Sequence, residues 1–208
     1  MASAPITIVD YGMGNIGSLI NMFRRIGVQA DVTSSPEDIA RARKILLPGV
    51  GAFDAAMERI DTLGLRDVLC ARVLQDEVPL LGICLGMQLL VDSSAEGIRD
   101  GLGLISGKAS RFPKGGGLKV PHMGWNDVTV LKDTPLTAAL PPDPRFYFVH
   151  SYYVTAKDDA DKMLACTYGT TFDAGLNRGS VYGAQFHPEK SHKFGMALLR
   201  GFVELPSC

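Results

Sequence analysis

The sequence predicts an α/β fold, in which a doubly wound, mostly parallel central sheet has flanking helices and is followed by a strand-rich C-terminal half. Up to about residue 92, short β-branched or aliphatic runs alternate with helical stretches, a pattern typical of βαβ units. Beyond residue 101 the runs become strand-rich. The chain has 208 residues, enough for one well-packed core and too few for two large ones. We therefore expect a single domain over residues 1–208.

The N-terminal half contains four predicted strands, each a short run of aliphatic or β-branched residues: 6–9, 28–33, 44–47 and 79–83. Between them, apolar residues recur at helical spacing in residues 16–26 and 65–74. In such folds ligands bind at the carboxyl ends of the parallel strands. The end of the fourth strand is therefore a place to look for a site.

The C-terminal half contains five predicted strands: 103–112, 125–131, 145–155, 163–168 and 180–186. A final helix is predicted over residues 191–203. Glycines 115–117 are predicted to form a loop, because no helix follows that could offer amides to a phosphate group.

Composition excludes several classes of partner. Lys and Arg number 21 and Asp and Glu 22, so no bulk charge attracts nucleic acid or a membrane surface. No segment approaches the roughly 20 apolar residues of a membrane span, and no signal peptide is evident. We expect a soluble, cytoplasmic protein. The cysteines are scattered without a C-x-x-C pair or zinc spacing, which favours a reduced chain with no metal site: Cys70, Cys84, Cys166 and Cys208.

One cysteine occupies the position of a nucleophile elbow. Cys84 lies between Gly82 and Gly86, where a predicted strand turns directly into a helix. In a G-x-S-x-G turn this geometry lifts the central side chain into the open, and the flanking glycines avoid clashes. A helix N-terminus also favours the thiolate, which is the reactive form. Cys84 is therefore a candidate nucleophile, although free cysteines are more often small buried hydrophobes.

A glycine-rich segment near the N-terminus has the spacing of a dinucleotide-binding fingerprint. Gly12, Gly14 and Gly17 follow the first strand and open a helix, and Asp31 lies near the next strand. The pattern is short in a chain with 23 glycines, and Asp10 adds a negative charge beside the supposed pyrophosphate. Asp31 is equally explained as a solvent-facing strand residue. We expect no cofactor.

The candidate general base is His187. Glu189 lies two residues further on, and Pro188 restricts the backbone so that both side chains can project to one side of an extended segment. The carboxylate would bind one imidazole nitrogen while the other faces the thiol. An ordinary surface pair is the alternative. The other histidines have less support: His122 and His150, without an acid nearby in sequence, and His192, which a lysine follows.

A third segment offers hydrogen-bond donors to a reacting carbonyl group. The predicted strand 44–47 breaks into Pro48 followed by Gly49, Val50 and Gly51, where backbone amides could approach an oxyanion. The amide of Leu85, directly after Cys84, would be the other donor. A plain βα turn explains the same residues equally well.

Together these motifs resemble the triad-type (class I) glutamine amidotransferases. The segments beginning at Tyr11 (Tyr-Gly-Met-Gly-Asn), Met123 (Met-Gly-Trp), Phe148 (Phe-Val-His-Ser-Tyr) and Phe186 (Phe-His-Pro-Glu-Lys-Ser) are similar, more narrowly, to the glutaminase subunits of imidazole glycerol phosphate synthases. The resemblance runs along essentially the whole chain. It implies a flavodoxin-like amidotransferase architecture, and it implies that the segment 12–17 binds no dinucleotide.

The resemblance implies a role for each site residue. Cys84 would attack the side-chain amide of glutamine, His187 would protonate departing ammonia, and Glu189 would orient His187. Amides of the 49–51 turn and of Leu85 would hold the oxyanion, and the Val50 peptide could flip between two orientations. Four residues match positions that hold glutamine: Gln88, Glu96, Ser151 and Tyr152.

The resemblance also implies a second polypeptide. Ammonia released into neutral water is mostly protonated and no longer nucleophilic, so it must pass directly to a synthase. The implied partner is a (β/α)₈ barrel cyclase of histidine biosynthesis, joined in a heterodimer, because such a barrel needs about 250 residues of its own. Glutaminase activity without the partner and its ligand would be weak. Three residues match interface positions, with Lys190 as the expected gate: Trp125, Tyr147 and Lys190.

Two alternatives stay open. A glutaminase of another ammonia-channelling synthase, for example pyridoxal phosphate synthase, would share the triad without the Tyr11 and His150–Tyr153 motifs. The second alternative is a protein with a cysteine elbow that is not an amidotransferase, or a nucleotide-binding module.

Overall fold

The computed structural model describes residues 6–113 and 117–206. Cys208, the first five residues, and glycines 115 and 116 of the predicted loop lie outside the described residues. The N-terminal half alternates strands with helices: β1 (Ile6–Val9), α1 (Ile16–Arg25), β2 (Ala30–Thr33), α2 (Pro36–Ile39), β3 (Ile45–Gly49), α3 (Phe53–Thr62), α4 (Leu65–Leu74), β4 (Leu80–Cys84) and α5 (Leu85–Leu89).

The C-terminal half is richer in strands. It ends in a long helix. Two short 3₁₀ turns, Asp159–Asp161 and Pro188–Lys190, lie before that helix. Its other elements are β5 (Ser93–Ser94), β6 (Gly107–Arg111), β7 (His122–Asp127), β8 (Thr129–Val130), α6 (Pro135–Ala138), β9 (Arg145–His150), β10 (Tyr152–Ala156), β11 (Lys162–Tyr168), β12 (Thr170–Arg178), β13 (Val181–Ala184) and α7 (His192–Glu204).

The parallel part of the sheet confirms the predicted α/β class. Its strands lie in the order β2-β1-β3-β4-β13, and each neighbouring pair is parallel. Strands β3, β4 and β13 are buried along their whole length, which explains their nearly continuous aliphatic composition. Because β13 comes from the end of the chain, the sheet places residues near 185 beside the elbow that follows β4.

The sheet then continues with antiparallel strands. β13, β12, β10 and β6 follow in that order with antiparallel pairing, and β11 joins β12 to β8. At the far side, β5 pairs with β6 in parallel. β7 and β9 form a separate two-stranded antiparallel sheet. The chain leaves β9 at His150 and enters β10 at Tyr152, so the single strand predicted over residues 145–155 is wrong: it is two strands in two sheets.

Two long elements escaped prediction for different reasons. In α3 the buried residues Phe53, Ala56, Met57 and Ile60 have helical spacing, so the sequence does carry a helical signal there. β12 carries no apolar alternation, because it buries polar residues as well as apolar ones. One of them, Asp173, accepts a hydrogen bond from the Ala156 amide at 2.7 Å.

Two hydrophobic clusters pack on opposite faces of the sheet. Ile8 belongs to one cluster and the next residue, Val9, to the other, as expected when side chains alternate along a strand. Helices α1 and α7 contribute to the first cluster, and α3 and α4 to the second. Within the two described ranges, no helix is both long and apolar enough to cross a bilayer.

Candidate active site

Cys84 occupies a strained backbone position between β4 and α5. Its φ is 54° and its ψ is −110°, a region that residues with a side chain rarely adopt. The turn is also tightly packed. A Cβ atom on Gly82 would lie 2.6 Å from the Gly86 carbonyl oxygen, and one on Gly86 would overlap the carbonyl oxygen of Leu47. The two glycines are therefore needed for close packing around the elbow.

His187 and Glu189 form a buried pair shortly after the carboxyl end of β13. His187 Nδ1 lies 2.8 Å from Glu189 Oε1, and both side chains are almost fully buried. The extended segment expected there is wrong beyond His187, because a 3₁₀ turn starts at Pro188 and folds the carboxylate back onto the imidazole ring. Within the described residues, Glu189 Oε2 has no hydrogen-bond partner. The carboxylate therefore acts mainly on His187.

Ser191 fixes the backbone that carries His187. Its hydroxyl donates to the His187 carbonyl oxygen at 2.6 Å and accepts from the Tyr147 amide at 3.0 Å. The His187 amide in turn donates to the Tyr147 carbonyl oxygen at 2.9 Å. The imidazole is thereby held between β9 and the start of α7, and Ser191 is a residue whose contribution the sequence did not reveal.

Electrostatics favour a charged imidazole beside Cys84. Burial lowers the pKa of His187, but hydrogen bonds to Cys84 and Glu189, with the charges of both, outweigh burial and raise this pKa to about 10. Since Glu189 occupies Nδ1, Nε2 is the nitrogen that faces the sulfur. A thiolate next to an imidazolium is the reactive form of a cysteine nucleophile.

The predicted oxyanion turn lies directly beside the elbow. Gly49, the last residue of β3, is paired with Cys84 in the parallel ladder. Val50 and Gly51 follow and line the same cavity as Cys84, and Gly51 has a φ of +107°. Leu85 is the first residue of α5 and lines that cavity as well. The geometry thus brings all the proposed oxyanion donors together.

The glycine-rich N-terminal segment packs against this turn. The Tyr11 hydroxyl donates to the Pro48 carbonyl oxygen at 2.7 Å. Burial, assisted by the charge of Cys84, raises the pKa of Tyr11 above its usual value, so the hydroxyl stays a donor. A Cβ atom on Gly14 would lie 3.1 Å from Pro48 Cγ. This close packing gives Gly14 a structural reason that involves no dinucleotide.

A cavity of about 370 Å³ opens in front of Cys84 and His187. Gly49 pairs with Cys84 in the sheet and Glu189 hydrogen-bonds to His187, so both are neighbours of residues on its wall. Three residues that the sequence did not select as site residues also line it: Pro121, Val149 and His150. The candidate residues on its wall, besides Cys84 and His187, are Val50, Gly51, Leu85, Gln88, Glu96, Ser151, Tyr152 and Lys190.

Two polar side chains on the wall are anchored by defined partners. Glu96 Oε2 accepts from the Phe53 amide at the start of α3, at 2.9 Å, a favourable place for a carboxylate. Gln88 is almost fully buried, and its Nε2 lies 3.0 Å from the Tyr152 carbonyl oxygen and 3.1 Å from Gln185 Oε1. Gln185 was not predicted, yet its own Nε2 lies 3.9 Å from Cys84 Sγ.

His150 and His122 form a second buried pair beside the cavity. His122 Nδ1 lies 3.0 Å from His150 Nε2, and His150 Nδ1 lies 2.8 Å from the Tyr152 carbonyl oxygen. Burial lowers the pKa of His150 to about 3 and that of His122 to about 4. Both rings are therefore neutral near pH 7 and serve as hydrogen-bonding groups rather than as the general base.

Trp125, Tyr147 and Lys190 lie close to one another, and Lys190 also lines the cavity. Lys190 Nζ is 5.7 Å from the centre of the Tyr147 ring, within cation–π distance. The Trp125 and Tyr147 ring centres are 6.3 Å apart, and Trp125 is 39% exposed. Within residues 6–113 and 117–206, no group of three His, Cys, Asp or Glu side chains could hold a metal ion.

Comparisons with known proteins agree with this geometry. The model of the family "Glutamine amidotransferase class-I" matches residues 7–205. The chain is 50% identical over 200 residues to imidazole glycerol phosphate synthase subunit HisH 2 of Pseudomonas aeruginosa, covering 96% of this chain and 99% of that protein. It is 48% identical over 199 residues to the subunit HisH 2 of Methanococcus maripaludis, covering 96% and 98%.

Two solved structures share the fold at low sequence identity. A glutamine amidotransferase superposes with a TM-score of 0.75 at 18% identity, covering 95% of this chain and 97% of that one. PurLQS from Thermotoga maritima superposes with a TM-score of 0.72 at 20% identity, covering 97% and 98%.

Proposed function

The chain belongs to the class I glutamine amidotransferase family, and we propose that it works as the glutaminase subunit of an imidazole glycerol phosphate synthase in histidine biosynthesis. The observation that carries this proposal is the strained Cys84, faced by the buried His187–Glu189 pair in one cavity. The near full-length similarity to two subunits of that synthase directs the proposal to this enzyme.

The first half of the reaction forms a thioester. The Cys84 thiolate attacks the side-chain carboxamide carbon of glutamine, and the oxyanion accepts hydrogen bonds from the Leu85 amide and from the turn 49–51. When the tetrahedral intermediate collapses, the imidazolium of His187 gives its proton to the departing nitrogen. Ammonia leaves, and the γ-glutamyl group stays on the sulfur.

The second half of the reaction releases glutamate. His187, now neutral, takes a proton from a water molecule, which attacks the thioester carbon. The sulfur leaves as the thiolate, and the imidazolium beside it restores the starting pair. Glutamine and water are thereby converted into glutamate and ammonia. Glu189 remains a carboxylate throughout and stabilises each imidazolium that forms.

Four residues of the wall are proposed to hold the glutamine head groups. Glu96 has one oxygen on the Phe53 amide, which leaves the other for the α-ammonium group. Gln88 has both amide hydrogens directed at protein oxygens, which leaves Oε1 as an acceptor toward the cavity. Ser151 and Tyr152, at the crossing from β9 to β10, would contact the α-carboxylate.

The relatives are named as subunits of a synthase, so the proposal includes a partner subunit. We propose that this partner is a (β/α)₈ barrel cyclase on a separate chain, forming a heterodimer that docks on Trp125 and Tyr147. Lys190 contacts Tyr147 and lines the catalytic cavity, so it is well placed to gate the passage of ammonia.

We further propose that the chain forms a single domain and that it is cytoplasmic. A single domain is supported by the family match over residues 7–205. A cytoplasmic location is supported by free Cys70, Cys84 and Cys166. The alternative of a pyridoxal phosphate synthase glutaminase is not favoured, because the relatives described above belong to imidazole glycerol phosphate synthases.

A glutamine-derived affinity label tests the assignment of nucleophile and substrate. The label is expected to modify Cys84 and to spare Cys70 and Cys166, with protection by glutamine. Addition of a candidate cyclase and its nucleotide is expected to increase glutamate release greatly. Labelling elsewhere, or labelling that glutamine does not slow, would contradict the proposal.

A further inference from the structure

We propose that Gln185 is a positioning residue of this site, which donates an amide hydrogen bond to the Cys84 sulfur and so favours the thiolate. The catalytic role of this contact rests on the proposed glutaminase function. Gln185 is fully buried, follows directly after β13, and lies two residues before His187. Its Nε2 atom is 3.9 Å from Cys84 Sγ, within hydrogen-bond distance for sulfur.

The orientation of the Gln185 amide follows from the groups around it. The Tyr152 carbonyl oxygen can only accept, so the Gln88 atom beside it, at 3.0 Å, must be Nε2. The second hydrogen of that nitrogen points to Gln185 at 3.1 Å, where the atom must then be Oε1. Gln185 Nε2 is left facing the sulfur. A chain of donors thus fixes which end of the amide Cys84 meets.

Burial makes this arrangement costly to lose. A buried amide hydrogen without an acceptor is unfavourable, and an ionised acceptor makes a stronger bond than a neutral one. Gln185 therefore gains from the thiolate form of Cys84. Its amide also donates at every pH, whereas His187 gives up its proton to the departing ammonia. Gln185 can thus stabilise the sulfur when it leaves as a thiolate in the second half-reaction.

The other titratable groups near Cys84 have partners or roles of their own. Tyr11 donates to Pro48, Glu96 accepts from Phe53, and His150 is neutral. Lys190 packs on the Tyr147 ring, and Glu189 lies behind His187. His187 is the charged group that hydrogen-bonds to Cys84. Gln185 adds a neutral donor to that pair.

The test is the pH dependence of Cys84 alkylation by iodoacetamide in the full chain, followed by mass spectrometry of the Cys84 peptide. In Gln185→Met the donor is lost with little change in length. We expect the midpoint of the rate profile to rise by about one pH unit, with the plateau at high pH unchanged. Alkylation needs no glutamine, so its result does not depend on the proposed function. The proposed function would fail separately, if the wild-type chain with a cyclase released no glutamate.

Three comparisons make the result specific. Gln88→Met removes the partner that fixes the Gln185 amide, but Gln185 Nε2 stays available and a thiolate attracts a donor, so the midpoint should move by less than half as much. Gln75→Met makes the same change at an exposed position and should leave the midpoint unchanged. Gln185→Asn, whose shorter amide cannot reach both partners, replaces Gln185→Met if that variant does not fold. A wild-type midpoint in the Gln185 variant, or an equal shift in Gln88→Met, would overturn the proposal.

Discussion

Gly49 is the residue opposite Cys84 in the parallel ladder between β3 and β4. The oxyanion turn and Cys84 therefore follow neighbouring strands at the same end of the sheet. Tyr11 holds the Pro48 carbonyl at the start of this turn, whereas Val50, which follows Gly49, is 43% exposed. A reorientation of the Val50 peptide would thus alter the donors without moving the nucleophile.

The close packing of the elbow predicts a large cost for a single methyl group. Gly86→Ala would force the β3 backbone at Leu47 to move, and we expect the free energy of unfolding to fall by at least about 2 kcal/mol. Gly17→Ala is the matched control, because nothing lies within 4 Å of the added Cβ atom in α1. Its stability should rise by about 0.5 kcal/mol. Urea unfolding of both variants measures the difference, and equal stabilities would contradict the packing argument.

Glu189→Gln tests the charge behind His187. The amide is nearly isosteric, so the fold should persist, but it lacks the charge that stabilises the imidazolium. We expect kcat for glutamate release to fall by about 100- to 10,000-fold in the presence of the partner. A kcat within threefold of the wild-type value would show that the carboxylate is a structural group.

The same pair predicts a pH dependence of stability. The pKa of His187 is raised from 6.5 to about 10, so its contribution to stability is fully present below pH 6.5 and is lost as the pH rises toward 10. Glu189→Gln removes part of this contribution. The stability advantage of the wild type over Glu189→Gln should therefore shrink between pH 6.5 and 10, as followed by urea unfolding. An advantage that grows with pH would refute this assignment.

The proposed docking surface predicts a local effect on partner affinity. Trp125 is partly exposed and contacts Tyr147, so Trp125→Ala should weaken binding to the cyclase by about tenfold or more. Leu74, 66% exposed at the end of α4, provides an apolar control on another surface. Titration calorimetry should give Leu74→Ala the wild-type Kd. An equal loss of affinity in both variants would contradict the proposal that the cyclase docks on Trp125.

Lys190→Ala tests the proposed ammonia gate. Removing the ammonium group frees Tyr147 and opens the wall of the cavity, so less of the ammonia should reach the synthase. The measurement compares glutamate released with product formed in the complex, and the ratio should depart from one to one. Lys157→Ala, an exposed change elsewhere, should keep the coupling intact. Wild-type stimulation and coupling in Lys190→Ala would end the gating hypothesis.

The sequence predicts best where local sterics encode the geometry. Cys84 and its two glycines describe a turn that few other residues could form. The spacing of His187 and Glu189 predicted their pairing, although not the 3₁₀ turn through which they meet. The parallel strands were predictable because burial on both faces requires aliphatic runs. By contrast, β12 buries polar residues whose partners lie on other strands, so its sequence shows no alternation.

The remaining site residues depend on the tertiary path of the chain. Ser151 reaches the cavity because the chain crosses there from one sheet to another, which no local pattern indicates. The role of Gln185 is not predictable from local sequence, because the direction of its amide depends on Gln88 and the Tyr152 carbonyl. Ser191 holds His187 through a contact with β9. Resemblance, rather than spacing, located Glu96 on the cavity wall.

The central claim is that Cys84 releases ammonia from glutamine for a partner subunit. The most direct test measures glutamate release by the wild type and by Cys84→Ala, each with and without a candidate cyclase and its nucleotide. Cys84 is 7% exposed and the change is small, so the variant should fold and still bind the cyclase. We expect the complex to stimulate the wild type strongly and Cys84→Ala to release no glutamate above background. Equal release by both chains in the complex would contradict it.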